Sequence, residues 1–312
     1  GISGNNIYQI NAAKVNNNGQ LVLTGSHGSG NFMSQQVGLT AVQFNADGTP
    51  GWITPINIEG EASYGTDLHI ATDGSIYING YTQNYDTANE NIITAKISAT
   101  GVVEWSDTFD EAEKNERSYT LKPFSNGDVG IIGYSLAING DIHNVLLKYS
   151  PDGELLWDFA SENMRYYNDF HIDGSDTCYI MDQVTIDPFP HKIFNTPFPT
   201  ASLITVDKNG QNSNEAFFTG PEYAEFYGER LIPHTDGRLL LAGSVSNQAF
   251  YKGLYFFETE HDGTLGLPGV PLPETARNIL GQNYPNPVQA NTTIPFTLVN
   301  GGKAVVRLYN IQ

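Results

Sequence analysis

Short apolar runs separated by glycine turns organise this chain from residue 7 to about residue 266. Leu21-Val22-Leu23, Ile76-Tyr77-Ile78, Val145-Leu146-Leu147 and Leu239-Leu240-Leu241 are apolar throughout rather than alternating. Continuous runs of this kind predict strands covered on both faces. Glycines frame one strand of a unit at a fixed distance. Gly19 and Gly25 bracket one run, and Gly74 and Gly80, Gly127 and Gly133, and Gly237 and Gly243 repeat the frame. A second landmark follows each time, an apolar strand ending in a turn whose glycine falls at 48, 101, 153, 210 and 263. These intervals are 53, 52, 57 and 53 residues, and such regularity over five units indicates a repeat array.

The tryptophans obey the same period. Gly48 is followed four residues later by Trp52, Gly101 by Trp105 and Gly153 by Trp157. Asp-Gly and Asn-Gly dipeptides turn the chain because a tight hairpin needs positive φ, which glycine takes freely. Four strands fill one unit of about 50 residues, and sheets stacked radially with a tryptophan wedged between neighbours form a β-propeller. A sandwich has no need of so long a period, and a solenoid uses a shorter one. The expected fold is therefore all-β: a β-propeller of about five four-stranded blades over residues 1–267, followed by the start of a small C-terminal β-sandwich. Repeats are expected at about 7–58, 62–109, 116–159, 166–218 and 223–266, a linker at 268–281 and the last domain at 282–312. Trp52, Trp105, Trp157, Gly48, Gly101 and Gly153 are its structural residues.

Two blades depart from the pattern. In the fourth, the first glycine is read at Gly174, the second is missing, and Asn214 stands at the tryptophan position. An insertion there carries Phe189, Phe194 and Phe198 among prolines, which bar it from a central strand. Those rings either pack over a blade edge or form a recognition surface. In the fifth blade Leu267 replaces tryptophan and a fourth strand is hard to discern. Gly1 to Ile7 are one candidate for the missing strand of a five-bladed ring; alternatively, blades before Gly1 bring the total to six to eight.

Charge narrows the partners. The net charge is −19, and such a surface repels nucleic acid phosphates and anionic membrane. No apolar run approaches the ~20 residues of a membrane-spanning helix, so no integral membrane protein is expected. Cys178 is the only cysteine, which excludes a disulfide framework and a thiolate metal cluster; its apolar neighbours predict a buried small residue.

Candidate chemistry is sparse. Seven histidines occur without HExxH or His-x-His spacing, so no metal is signalled, and no cofactor is expected. For Ca²⁺ the best candidate is Asp207-Lys208-Asn209-Gly210, which lacks the alternating oxygen ligands and bidentate Glu of a calcium loop. Gly25 to Gly30 form a glycine-rich run with no helix pattern after it to hold a phosphate. No Gly-x-Ser-x-Gly elbow is present. His69, His171 and His234 precede the first turn in blades two, four and five, and radial symmetry can bring them to one central channel. No catalytic residue is assigned.

Beyond the Pro-rich linker come Asn283-Tyr284-Pro285-Asn286-Pro287, then Thr292-Thr293-Ile294-Pro295-Phe296, then Val306-Arg307-Leu308-Tyr309-Asn310. This segment resembles the start of the type A C-terminal sorting domain of the type IX secretion system of Bacteroidota. The repeats resemble the Gly-Tyr-Thr…Trp propeller repeats of bacterial secreted proteins. The first resemblance implies a small β-sandwich read by an outer-membrane translocon, then release or attachment at the cell surface. The sequence reaches only about halfway through such a domain, so either the chain continues or another chain covers the exposed edge. The expected function is a secreted or cell-surface binding or scaffold protein, with the secretion translocon or attachment machinery, other surface proteins, or glycans as partners. Two alternatives stay open: a secreted hydrolase or lyase with its site in the propeller channel, and cargo captured on the secretion machinery.

Overall fold

The computed structural model describes residues 6–29, 36–161, 165–184, 199–219, 224–234, 238–247, 252–258, 279–280 and 296–297. The chain forms two compact units, Gly1–Leu265 and Gly266–Gln312. Among the described residues every regular element is a strand, and no helix is long and apolar enough to cross a membrane.

Unit one is a series of antiparallel meanders. The first sheet runs β1 (Asn6–Val15), β2 (Leu21–Ser29), β3 (Gln36–Phe44), β4 (Pro50–Ile56). The second runs β5 (Glu61–Ile70), β6 (Ile76–Asn84), β7 (Glu90–Ile97), β8 (Val103–Phe109), and the third β9 (Lys114–Pro123), β10 (Val129–Ala137), β11 (Ile142–Tyr149), β12 (Leu155–Ala160). A fourth holds β13 (Arg165–Ile172), β14 (Cys178–Val184), β15 (Pro199–Val206) and β16 (Asn212–Thr219). The fifth has three described strands, β17 (Ala224–Pro233), β18 (Leu239–Asn247) and β19 (Lys252–Glu258). The first strand of each sheet lies across the face of the sheet before it: β5 over β1 to β3, β9 over β5 to β7, β13 over β9 to β11, and β17 over β13 to β15. Four-stranded antiparallel blades stacked in chain order define a β-propeller fold.

Apolar layers between successive blades hold the stack together. Val22, Leu39, Ile78 and Ile93 fill the first joint, Tyr77, Ile92, Leu121 and Ile131 the second, and Phe124, Ile132, Leu146, Phe170 and Ile180 the third. Each such Leu, Ile or Phe, fully buried, contributes about 1.5–3 kcal/mol. The central strands are covered on both faces, which explains their uninterrupted apolar text.

A β-bulge in every innermost strand accounts for the second glycine of the frame. Asn11, Thr66, Tyr119, Asn168 and Glu229 are the extra residues. Each bulge pushes the inner backbone towards the neighbouring strand. A Cβ on Gly25 would lie 1.9 Å from the Gln9 carbonyl oxygen, on Gly80 1.9 Å from that of Tyr64, and on Gly133 2.1 Å from that of Arg117. No side chain fits there.

The structure corrects three readings of the text. The turn residue of blade four equivalent to Gly74 is Asp176, not Gly174: Asp176 takes φ 62° and its N–H bonds the Asp173 carbonyl, as Gly74 bonds Ala71. Asp182 then occupies the second glycine's register position, opposite Tyr167. Asn6 and Ile7 do not complete the last blade, because they pair with Gly28 and His27 inside the first. His234 lies beyond β17, in the turn, where its N–H bonds the Arg238 carbonyl at 2.8 Å. The insertion with Phe189, Phe194 and Phe198 lies outside the described residues.

In unit two, β20 (Ile279–Leu280) pairs antiparallel with β21 (Phe296–Thr297). Asn283, Tyr284, Pro285, Asn286 and Pro287 fall between them and outside the described residues.

Candidate functional site

The three tryptophans serve the blade that follows their own. Trp52 Nε1 donates to the Ala99 carbonyl (3.2 Å), Trp105 Nε1 to Pro151 (2.9 Å) and Trp157 Nε1 to Lys208 (3.0 Å). Each ring lies flat against the next turn. A Cβ on Gly101 would come within 2.6 Å of the Trp52 ring, on Gly153 within 2.7 Å of Trp105, and on Gly210 within 2.8 Å of Trp157. The turn glycine is thus needed twice, for its positive φ and for the ring above it. Gly48, in the first blade, has nothing within 4 Å of that position. Asn214 faces Thr205 as Trp157 faces Lys148, so it holds the tryptophan place without a ring.

The innermost strands carry the charged chemistry. His69 pairs with Tyr77 and His171 with Tyr179, so both stand at one register level. Lys14, Lys122 and Ile232 hold that level in blades one, three and five. Two residues earlier on the same strand face stand Ala12, Asp67, Thr120, Asp169 and Arg230. The two aspartates tie three blades each. Asp67 Oδ1 accepts the Leu68 N–H (2.8 Å) and lies 3.8 Å from Lys14 Nζ, while Oδ2 accepts the Thr120 hydroxyl and the Leu121 N–H. Asp169 repeats this two blades on. Its Oδ1 accepts the Phe170 N–H (2.9 Å) and lies 3.8 Å from Lys122 Nζ, and Oδ2 accepts the Leu231 N–H (3.0 Å).

Burial pushes the His69 and His171 imidazoles below their usual range, and the Lys14 and Lys122 ammonium groups push the same way against the opposing aspartates. Both rings are therefore neutral at pH 7. Burial also lowers Lys122. Both axial carboxylates are thus engaged in hydrogen bonds that join one blade to the next. Asp207 is bonded within its own turn, with Oδ1 accepting the Asn209 and Gln211 N–H groups. Among the described residues no group of three or more His, Cys, Asp or Glu side chains is placed to hold a metal.

Of the histidines flagged from the text, His69 and His171 are brought to one level, and His234 is not. Lys14, Asp67, Lys122, Asp169 and Arg230 were missed. A signal existed: Asp67-Leu68-His69 and Asp169-Phe170-His171 repeat one Asp-x-His element two blades apart.

The class this geometry defines is the β-propeller. No family model and no curated protein matches the sequence. Among solved structures, the chain is similar to the β-propeller domain of the Trilobed protease from Pyrococcus furiosus, at 13% identity and TM-score 0.47, covering 88% of this chain and 73% of that one. A protein of unknown function from Bacteroides caccae matches at 11% identity and TM-score 0.44, covering 83% and 80%. One from Dyadobacter fermentans matches at 12% and 0.46, covering 84% and 85%.

Proposed function

We propose that this chain is a non-catalytic binding or scaffold β-propeller, carried to the cell surface or medium by a type IX secretion sorting signal. The observation that carries the non-catalytic reading is the commitment of Asp67 and Asp169 to inter-blade hydrogen bonds. The export reading is supported by Asn283-Tyr284-Pro285-Asn286-Pro287, set between two short strands that pair antiparallel. Partners are the secretion translocon or surface attachment machinery, and surface proteins or glycans.

The test is fractionation of the natural gene product in a Bacteroidota host with an intact or inactivated type IX translocon. Surface or medium localisation should require the translocon, and deleting residues 283–287 should trap the protein in the periplasm. Equal distribution in both hosts refutes the export reading. Release of sugar reducing ends or new peptide termini by purified protein, abolished by Asp67→Asn or Asp169→Asn, refutes the non-catalytic one.

A further inference from the structure

A belt of tyrosines around one pinned arginine crosses the joint between blades two and three. Tyr64 and Tyr81, cross-strand neighbours on β5 and β6, stack with centroids 4.9 Å apart. The Arg117 guanidinium lies 4.4 Å from the Tyr81 ring centroid. Opposite Arg117 on β10 is Tyr134, whose ring is 5.6 Å from that of Tyr119. Tyr119 is the bulge residue of β9, a position that points out of the ladder. At the other end, the Tyr85 hydroxyl accepts the Val37 N–H at 3.2 Å. Tyr85 is 52% exposed and Tyr119 41%. Aromatic and arginine side chains are enriched in recognition interfaces relative to the rest of a protein surface.

The polar groups in the belt are fixed. Arg117 makes a bidentate pair with Glu90 through Nε and one terminal nitrogen, and Gln83 Nε2 also donates to Glu90 (3.2 Å). The Glu90 side chain is 10% exposed and that of Arg117 39%. A guanidinium carries five N–H donors, so this pair leaves donors aimed away from Glu90 in a set orientation. Burial raises the Tyr64 and Tyr134 phenols, which stay protonated and able to donate.

The chemistry selects among ligands. Glu90 cancels the Arg117 charge, and the chain's net charge of −19 disfavours anions. A lipid tail needs a continuous apolar face, whereas Arg117, Gln83 and Glu90 interrupt this one. A pyranose offers an apolar C–H face to an aromatic ring and a rim of hydroxyls to planar donors and acceptors. We infer that the Tyr85–Tyr64–Tyr81–Arg117–Tyr134–Tyr119 belt binds a neutral carbohydrate, with Tyr119 and Tyr85 as stacking platforms and Arg117 reading hydroxyls. The inference rests on the binding reading above and names its ligand class.

Native affinity electrophoresis tests it, with the purified chain run through soluble neutral polysaccharides (β-glucan, xylan, galactomannan and α-mannan), and sugar reducing ends assayed in the same samples. Retardation by at least one polysaccharide is expected. Tyr119→Ala should weaken it about tenfold or more, and Tyr119→Phe, which keeps the ring, about threefold or less. Both variants should keep the wild-type circular dichroism spectrum; if Tyr119→Ala does not, Tyr85→Ala replaces it with the same expected loss. No retardation by any of the four, or unchanged retardation of both alanine variants, overturns the inference and leaves the non-catalytic reading standing. Retardation with release of reducing ends keeps the carbohydrate site and overturns the non-catalytic reading instead.

Discussion

Replacing Gly153 by alanine should reveal how one blade grips the next. Two costs are combined at this position. The first is backbone strain, since Gly153 sits at φ +89° and a left-handed L-residue costs roughly 1–2 kcal/mol. The second is steric. The new Cβ would lie 2.7 Å from Trp105 Cδ2 and 2.8 Å from Cγ, against about 3.5–4.0 Å for carbon atoms in comfortable contact. The ring must retreat, straining its bond to the Pro151 carbonyl and its stacking on Tyr149; overpacking of this kind adds about 1–3 kcal/mol. Gly48 isolates the first cost, having φ +81° and nothing within 4 Å. Gly48→Ala should therefore cost about 1 kcal/mol and Gly153→Ala about 3 kcal/mol. Trp105→Ala, which removes a half-buried ring and a hydrogen bond, should cost about 3 kcal/mol. In that background Gly153→Ala should fall back to about 1 kcal/mol, a coupling of about 2 kcal/mol. Urea unfolding followed by far-ultraviolet circular dichroism measures the wild type and all four variants without relying on tryptophan emission. Equal costs of Gly153→Ala with and without the Trp105 ring would refute the stacked joint.

Asp169→Ala should lower the melting temperature by about 5–10 °C, because the buried Leu231 N–H and the Phe170 N–H lose their acceptor at about 1–3 kcal/mol each. Asp169→Asn keeps an acceptor oxygen and should lose less in the same calorimetric scan. Burial raises the Glu116 carboxyl from 4.5 to about 7, so the folded state holds this proton more tightly than the unfolded chain does. The proton's contribution is present below about pH 4.5 and is lost as pH rises to about 7. Relative to Glu116→Gln, the wild type should lose stability across that window, and a pH-independent difference in urea midpoints would contradict the assignment. Burial pushes the Cys178 thiol up to about 12, so Ellman's reagent at pH 8 should label it only as the chain unfolds, whereas labelling of native protein at the rate of a small free thiol would contradict its burial.

The period was legible because the joint uses residues that cannot be exchanged: a flat ring, a glycine beneath it, and a second glycine against the bulge. Where another residue solves the same problem, the text misleads. Asp176 tolerates the left-handed turn, and its carboxylate reaches back to blade three, accepting the Ser125 N–H and hydroxyl, each at 2.7 Å. The substitution trades conformational freedom for an inter-blade tie, and the eye settles on Gly174 instead. The axial aspartates were hidden differently, because Asp-x-His has meaning only once register places both elements at one level. The tyrosine belt was invisible, since it gathers residues from four strands and one turn of two blades at no regular spacing.

Because each blade's conserved-by-period residues act on the following blade, they describe assembly and carry no information about ligands. Ligand chemistry is better sought where one blade places an aromatic ring at a position that is polar in the others. The bulge position is the clearest instance. Asn11 and Thr66 occupy it with short polar side chains, and both bond within the framework, Asn11 to the Gly65 carbonyl at 2.6 Å and Thr66 to that of Asn79 at 3.2 Å. Blade three places Tyr119 there, with its ring against that of Tyr134 and 41% of the residue exposed. An aromatic ring left half in water forgoes burial worth up to a few kcal/mol, and such local inconsistency in an otherwise regular array is the pattern expected where a surface serves recognition rather than stability.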